Sequence, residues 1–298
     1  MVPAVRRPSD LTPADDLSVP YSGDPMPQTL LGLLLVTPAL AIVILLFIVP
    51  LASSITGAFE VDGGHGLGNF AKAFELYAND MAFTVVIVLS STALIGLCSI
   101  AISGYLTLGS NPRAVAILRW LYRWPLFVPF IVVGQVLRTF LAKNGLMNSL
   151  IVETGLLTAS QTTSFLDWRG IVIAFTWKQT PFVTLLLAGA MASLDRSMIE
   201  SARNLGASRL RILFEIILPQ VLPTLMVGLI LGIVTMMSVL SVPMMVNAQT
   251  PTMITASMAF RINAYGDYGV ANALGVVSLV MTSAVAWLYL RQTMRDHR

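Results

Sequence analysis

ESARNLGASRLRILFEIILP, residues 200–219, carries two acids and three arginines between long stretches that are almost wholly apolar. Its reading depends on what surrounds it. The chain has 298 residues, 56% apolar and only 11% charged, with a mean hydropathy of +0.79. A soluble domain carries about 25% charged residues, so this composition points to a polytopic membrane protein. The net charge of +3 is small, and its placement matters more than its sum. The lone cysteine, Cys98, has no partner for an internal disulfide and reads as a small packing residue inside an apolar run.

Working outward, residues 1–28 are polar and hold Pro3, Pro8, Pro13, Pro20, Pro25 and Pro27, so they are expected to form a disordered tail. Six apolar runs follow, at about 29–54, 82–108, 116–141, 170–193, 220–246 and 268–290. Each supplies the roughly 20 residues that a helix needs to cross the hydrocarbon. They are too long and continuous for barrel strands, so the expected fold is an all-α membrane bundle of six transmembrane helices. A short tail, 291–298, ends the chain.

Lysine and arginine set the expected orientation. With the N-terminus inside, the internal segments hold Arg6, Arg7, Arg113, Arg119, Arg123, Arg196, Arg203, Arg209, Arg211, Arg291, Arg295 and Arg298, twelve of eighteen basic residues. Both termini are therefore expected in the cytoplasm. The segment at 200–219 then falls in the largest internal loop, between spans four and five.

Several spans carry breakers: Pro125 and Pro129 in WPLFVPF, Pro181 in span four, and Pro243 near the end of span five. Gly228 and Gly232 form a GxxxG, and Ala271 and Gly275 a small-xxx-small pair; both permit close helix contact. None of the fifteen acids is placed clearly within a span.

Within the loop, Ser197 and Glu200 have capping-box spacing, so a helix is expected from about residue 198. Ile199, Ala202 and Leu205 give it an apolar side. Gly206 allows a tight turn. A second helix is expected with Leu210, Leu213, Phe214 and Ile217 on its apolar side and Arg209, Arg211 and Glu215 opposite, before Pro219 leads into span five. Two short amphipathic helices meeting at a glycine make a docking knob.

This pattern resembles the EAA loop of the permease subunits of binding-protein-dependent (type I) ABC importers: E-A-A, three residues, G, nine residues, I-x-L-P. Here Glu200, Ser201, Ala202, Gly206, Ile216, Leu218 and Pro219 stand at those places, with Ser201 for the first alanine as the single departure. GLGNFAKAFE in the first outer loop, WKQTPF at 177–182 and GDYGVANALG at 266–275 resemble other parts of these permeases. The likeness covers about 29–290.

The resemblance implies a six-helix permease domain over 29–290 with an ATPase-coupling loop at 195–219, in a bacterial cytoplasmic membrane. It implies two cytoplasmic ATP-binding subunits, a second permease subunit making a heterodimer, an extracytoplasmic solute-binding protein, and no nucleic-acid partner. ATP and Mg would be bound by the ATPase, leaving no cofactor and no enzymatic chemistry in this chain.

Other classes fit less well. HExxH and GxSxG are absent, and the two histidines, His65 and His297, lie in a loop and a tail. GGHGLGN at 63–69 has Asn69 where a phosphate loop needs lysine, and reads as a flexible loop. A secondary transporter usually has more spans and intramembrane acids. For a solute path, Lys178 stands out, about eight residues into span four and so about 12 Å deep. It is expected to face water or an internal partner, with Gln135, Arg138, Trp177 and Gln179 lining the same outer cavity. By overall likeness the solute branch is sugars, or polyamines, iron and phosphonates, with a lean to the second. The positive charge of Lys178 and Arg138 favours a neutral or anionic solute over a polyamine.

Overall fold

The computed structural model describes residues 28–61, 63–247 and 249–296. The expected tail at 1–28 lies outside this range but for its last residue, as do His297 and Arg298. The chain divides into two units, residues 1–51 and 52–298. In the first, α1 (Gln28–Val43) is followed by a π-helical stretch, Ile44–Ile48, and by the start of α2 (Val49–Phe59). From Val36 to Val49 every large apolar side chain is exposed, as lipid-facing residues are.

The second unit holds the remaining elements. A two-stranded hairpin, β1 (Glu60–Val61) and β2 (Gly64–His65), leads directly into α3 (Gly68–Leu108). At 41 residues α3 is about 60 Å long, more than a bilayer needs. It kinks at Tyr77, whose backbone leaves helical geometry, so its first turns form a separate arm. GLGNFAKAFE is therefore hairpin end and helix, not loop. GGHGLGN is likewise a strand and a helix start.

The expected third span is not one straight helix. Helix α4 (Pro112–Leu121) and the 3₁₀ turn Trp124–Phe127 are bent by 106° from α5 (Phe130–Leu141) and α6 (Leu146–Glu153). Pro129 is the physical cause, since it lacks the N–H that would reach the Pro125 carbonyl. Among the described residues, five helices are long and apolar enough to cross a membrane, or six if this bent pair is one span.

Helix α7 (Trp168–Ala192) is the most buried of them and packs against α3. Ser99 Oγ donates to the Thr180 carbonyl at 3.4 Å, and Ser103 Oγ to the Thr184 carbonyl at 3.3 Å. The same offset one turn later means that the two helices run parallel. Small residues let the backbones approach and hydroxyls link them.

Helix α10 (Leu218–Ser238) runs antiparallel to α7: Gly228 faces Val183, and the Gly232 carbonyl accepts from Gln179 Nε2 at 3.4 Å. Of the expected GxxxG pair, only Gly228 is a close-approach point; a Cβ there would stand 3.3 Å from Val183, whereas one at Gly232 would meet nothing within 4 Å. Span five ends at Ser238. Pro243 sits in a separate helix, α11 (Ser241–Val246), packed on α5. Helix α12 (Ile254–Tyr265), unexpected from hydropathy, packs on α13 (Tyr268–Asp296), which returns along α3.

The statement that no acid lies within a span fails for Asp80. It is buried on α3, where its carboxylate accepts from the Thr252 N–H at 3.1 Å and from the Ser257 hydroxyl. Next to it, Thr84 Oγ1 accepts from the Ile254 N–H at 2.9 Å. Of these, the Ile254 N–H is a free donor of the first turn of α12, and Thr252 lies just before the cap, Met253.

Candidate functional site

The loop at 195–219 is built from local chemistry. Asp195 caps α8 (Arg196–Asn204), accepting from the Ser197 N–H at 2.9 Å and the Ser197 hydroxyl at 2.6 Å. These two bonds hold its carboxyl below the usual range. The expected start at 198 and the Ser197–Glu200 capping box are thus replaced by an earlier cap, because Ser197 is already engaged with Asp195. Glu200 is exposed and, among the described residues, makes no ion pair.

Helix α8 ends in a Schellman motif. The Ala207 N–H donates to the Ala202 carbonyl at 3.0 Å and the Gly206 N–H to the Arg203 carbonyl at 2.9 Å. Gly206 has φ +81°, which L side chains rarely adopt. Ala202 is buried, whereas Ser201 is exposed.

The expected second short helix is not separate. A single turn, α9 (Arg209–Arg211), passes through π-helical Ile212–Ile217 straight into α10, a run of 30 residues. Pro219 cannot donate to the Glu215 carbonyl, and the wider π turn takes up the register. That shift changes which side is buried. Ile212, Leu213 and Ile217 pack inward, while Leu210 and Phe214 are exposed. Ile216 and Leu218 are half-buried and Pro219 is exposed. Leu205, 88% exposed, joins Leu210 and Phe214, giving the loop apolar side chains without cover in this chain. Arg211 pairs with Glu215 at 2.8 Å.

The proposed path residues are not gathered in one place. Lys178 Nζ donates to the Pro125 carbonyl at 2.7 Å and the Leu126 carbonyl at 3.1 Å, and lies 5.4 Å from the Phe130 ring centre. It thereby adds a second donor to the Pro125 carbonyl, which also accepts from the Val128 N–H at 3.3 Å. Gln179, buried, is turned towards α10, while Trp177, on the opposite side of α7, is exposed. Gln135 and Arg138 are exposed on α5. None of the five lines a described cavity.

At the end of the molecule holding the hairpin and α12, a charged cluster escaped sequence reading. Asp267 pairs with Lys72 at 3.3 Å and Arg261 at 3.5 Å, and accepts from the Val270 N–H to cap α13. Burial alone would raise its carboxyl, but the Val270 N–H and the two cations outweigh this and hold it below the usual range. Arg261 Nε also donates to the Tyr77 hydroxyl at 2.6 Å, at the kink of α3. Asn69 Nδ2 donates to the Ala58 and Glu60 carbonyls, and a Cβ at Gly269 would stand 2.7 Å from it. The GLGNF and GDYG stretches, far apart in sequence, therefore meet.

Comparison with known proteins agrees with this architecture. The chain is 27% identical over 283 residues to the sulfoquinovosyl glycerol transport system permease protein SmoG of Agrobacterium fabrum, covering 88% of this chain and 90% of that one. It is also 27% identical over 282 residues to the trehalose/maltose transport system permease protein MalF of Thermococcus litoralis, covering 88% and 92%. A chain from the crystal structure of a bacterial ABC transporter involved in import of the acidic polysaccharide alginate has the same fold, with a TM-score of 0.76 at 19% identity over 91% of this chain and 97% of that one. Residues 99–294, from the last quarter of α3 to near the end of α13, match the model for the binding-protein-dependent transport system inner membrane component, and the chain belongs to that family of multi-pass permeases, which are transport components and not enzymes.

Proposed function

We propose that this chain forms half of the solute path of an ATP-driven importer and couples to a cytoplasmic ATPase through residues 195–219. The observation that carries this reading is the exposed state of the loop. Among the described residues Glu200 is neither a cap nor half of an ion pair, and Leu205, Leu210 and Phe214 stand uncovered beside a left-handed Gly206. Exposed apolar side chains rimmed by charge fit a protein partner. Both termini are then cytoplasmic, two ATP-binding subunits carry ATP and Mg, and an external binding protein delivers the solute.

The partner permease is a different chain, so the purified complex contains one copy of this one; a mass corresponding to two copies overturns the heterodimer. The solute is small, polar and organic, with a sugar or sugar acid first among sugars, phosphonates and opine-like acids. The support is that both sugar-system relatives align along nearly the whole chain. The charge of Lys178 adds little, because its ammonium is bound to two backbone carbonyls.

The test is reconstitution with ATPase, second permease and binding protein. Glu200→Lys and Gly206→Trp should insert normally yet uncouple ATP hydrolysis from uptake. Wild-type import by both variants, or solute uptake by this chain without an ATPase, refutes the coupling role. Efficient import of a polyamine refutes the solute class.

A further inference from the structure

A cavity of about 540 Å³ lies where the ends of α3, α4, α7 and α8 meet, on the membrane side of the coupling loop. Four guanidinium side chains line it: Arg119 and Arg123, one helical turn apart, and Arg196 and Arg203, two turns apart on α8. Among the described residues Glu200 is the single carboxylate on its walls. Among the described residues none of these four arginines makes an ion pair. Arg123 is instead held over the buried Tyr122, donating to its hydroxyl at 3.3 Å. All four arginines are exposed, and among the described residues four cations face one anion, an excess of three positive charges open to an outside anion.

The aromatic side chains beside the cavity point to the class of anion. Trp120 and Trp124, interleaved with Arg119 and Arg123, are 60% and 55% exposed, with rings 4.7 Å apart. Exposed tryptophans on a membrane protein sit at the level of the lipid headgroups. The remaining wall, from α3 and α7, is largely apolar. Guanidinium forks match phosphate oxygens, and basic pockets between membrane helices take anionic headgroups.

We propose that this cavity binds the headgroup of an anionic phospholipid, which ties α4 to the coupling helix α8. The binding requires only that the chain be embedded in a membrane, so it stands or falls independently of the coupling role.

The experiment is native mass spectrometry of the full chain in detergent, titrated with phosphatidylglycerol, phosphatidylcholine or inorganic phosphate. Phosphatidylglycerol should bind and phosphatidylcholine should not. Arg119→Gln with Arg123→Gln should weaken that binding about thirtyfold, at the usual contribution of a basic residue near an anionic surface. Arg196→Gln with Arg203→Gln, on a different helix, should weaken it similarly, which guards against one pair acting through misfolding. Arg113→Gln, on α4 but outside the cavity, should have no effect. Equal binding by wild type and both double variants overturns the site. So does an equal loss in Arg113→Gln, which would mean diffuse surface charge, or displacement of the lipid by millimolar phosphate, which would mean a free-anion site.

Discussion

Replacing Gly206 by valine tests the coupling loop at its most constrained backbone position. The residue has φ +81°, and a Cβ added there would meet nothing within 4 Å. The penalty is therefore torsional and not a clash with neighbours. Holding an L residue in the left-handed region costs about 1–2 kcal/mol, with β-branched side chains at the upper end. If the loop relaxes instead, it gives up the Schellman bonds from Gly206 and Ala207 to Arg203 and Ala202, and α8 changes its angle to α10. Either way the docked geometry is disfavoured by about 5–30-fold in population. ATP-dependent uptake in proteoliposomes should fall by about that factor. Gly206→Asn should recover most of the activity, because asparagine tolerates the left-handed region. Melting of the membrane bundle should shift by no more than that penalty of about 1–2 kcal/mol implies, since Gly206 is exposed and an added Cβ meets no neighbour. Wild-type uptake by Gly206→Val, or equal losses for valine and asparagine, would refute the reasoning.

Asp80→Leu should lower the melting midpoint in detergent, because the Thr252 N–H and Ser257 hydroxyl lose a buried acceptor at on the order of 1–3 kcal/mol each; Asp80→Asn should fall between, and an unchanged midpoint for Leu would remove the cap from the account. Lys178→Met should also destabilise, by removing one donor each from the Pro125 and Leu126 carbonyls, without altering solute preference; altered preference at unchanged stability would return Lys178 to the solute path. Asp267 has a lowered carboxyl pKa, so its contribution is present above the ordinary value of 3.8 and is lost as the pH falls below it. Melting followed from pH 6 down to 3 should show this loss, and Asp267→Asn should flatten it; parallel curves for the two proteins would exclude the Lys72–Asp267–Arg261 link as its source.

Much of this protein was legible locally. Hydropathy placed the spans because a helix in lipid must be apolar along its whole length. The spacing from Glu200 to Pro219 marked the loop because its turn closes within a few residues, so Gly206 carries its φ requirement in its own identity. Even there, the choice of cap escaped local reading. Asp195 and Ser197 are both good caps, and only the folded entry into α8 decides that Ser197 bonds back to Asp195.

Tertiary structure alone decided the rest. Pro125 and Pro129 announce a break, but only the folded chain brings Lys178, from another helix, to the Pro125 and Leu126 carbonyls at the 106° bend. Asp80 drew no notice in the sequence; it is buried because residues 252–257, some 170 positions later, bring it the Thr252 N–H and the Ser257 hydroxyl. Arg261, Asp267 and Lys72 form one cluster for the same reason. Apolarity and turn geometry are properties of short stretches and can be read in order along the chain. Which buried polar group meets which donor depends on contacts between distant segments, and those exist only once the helices have packed.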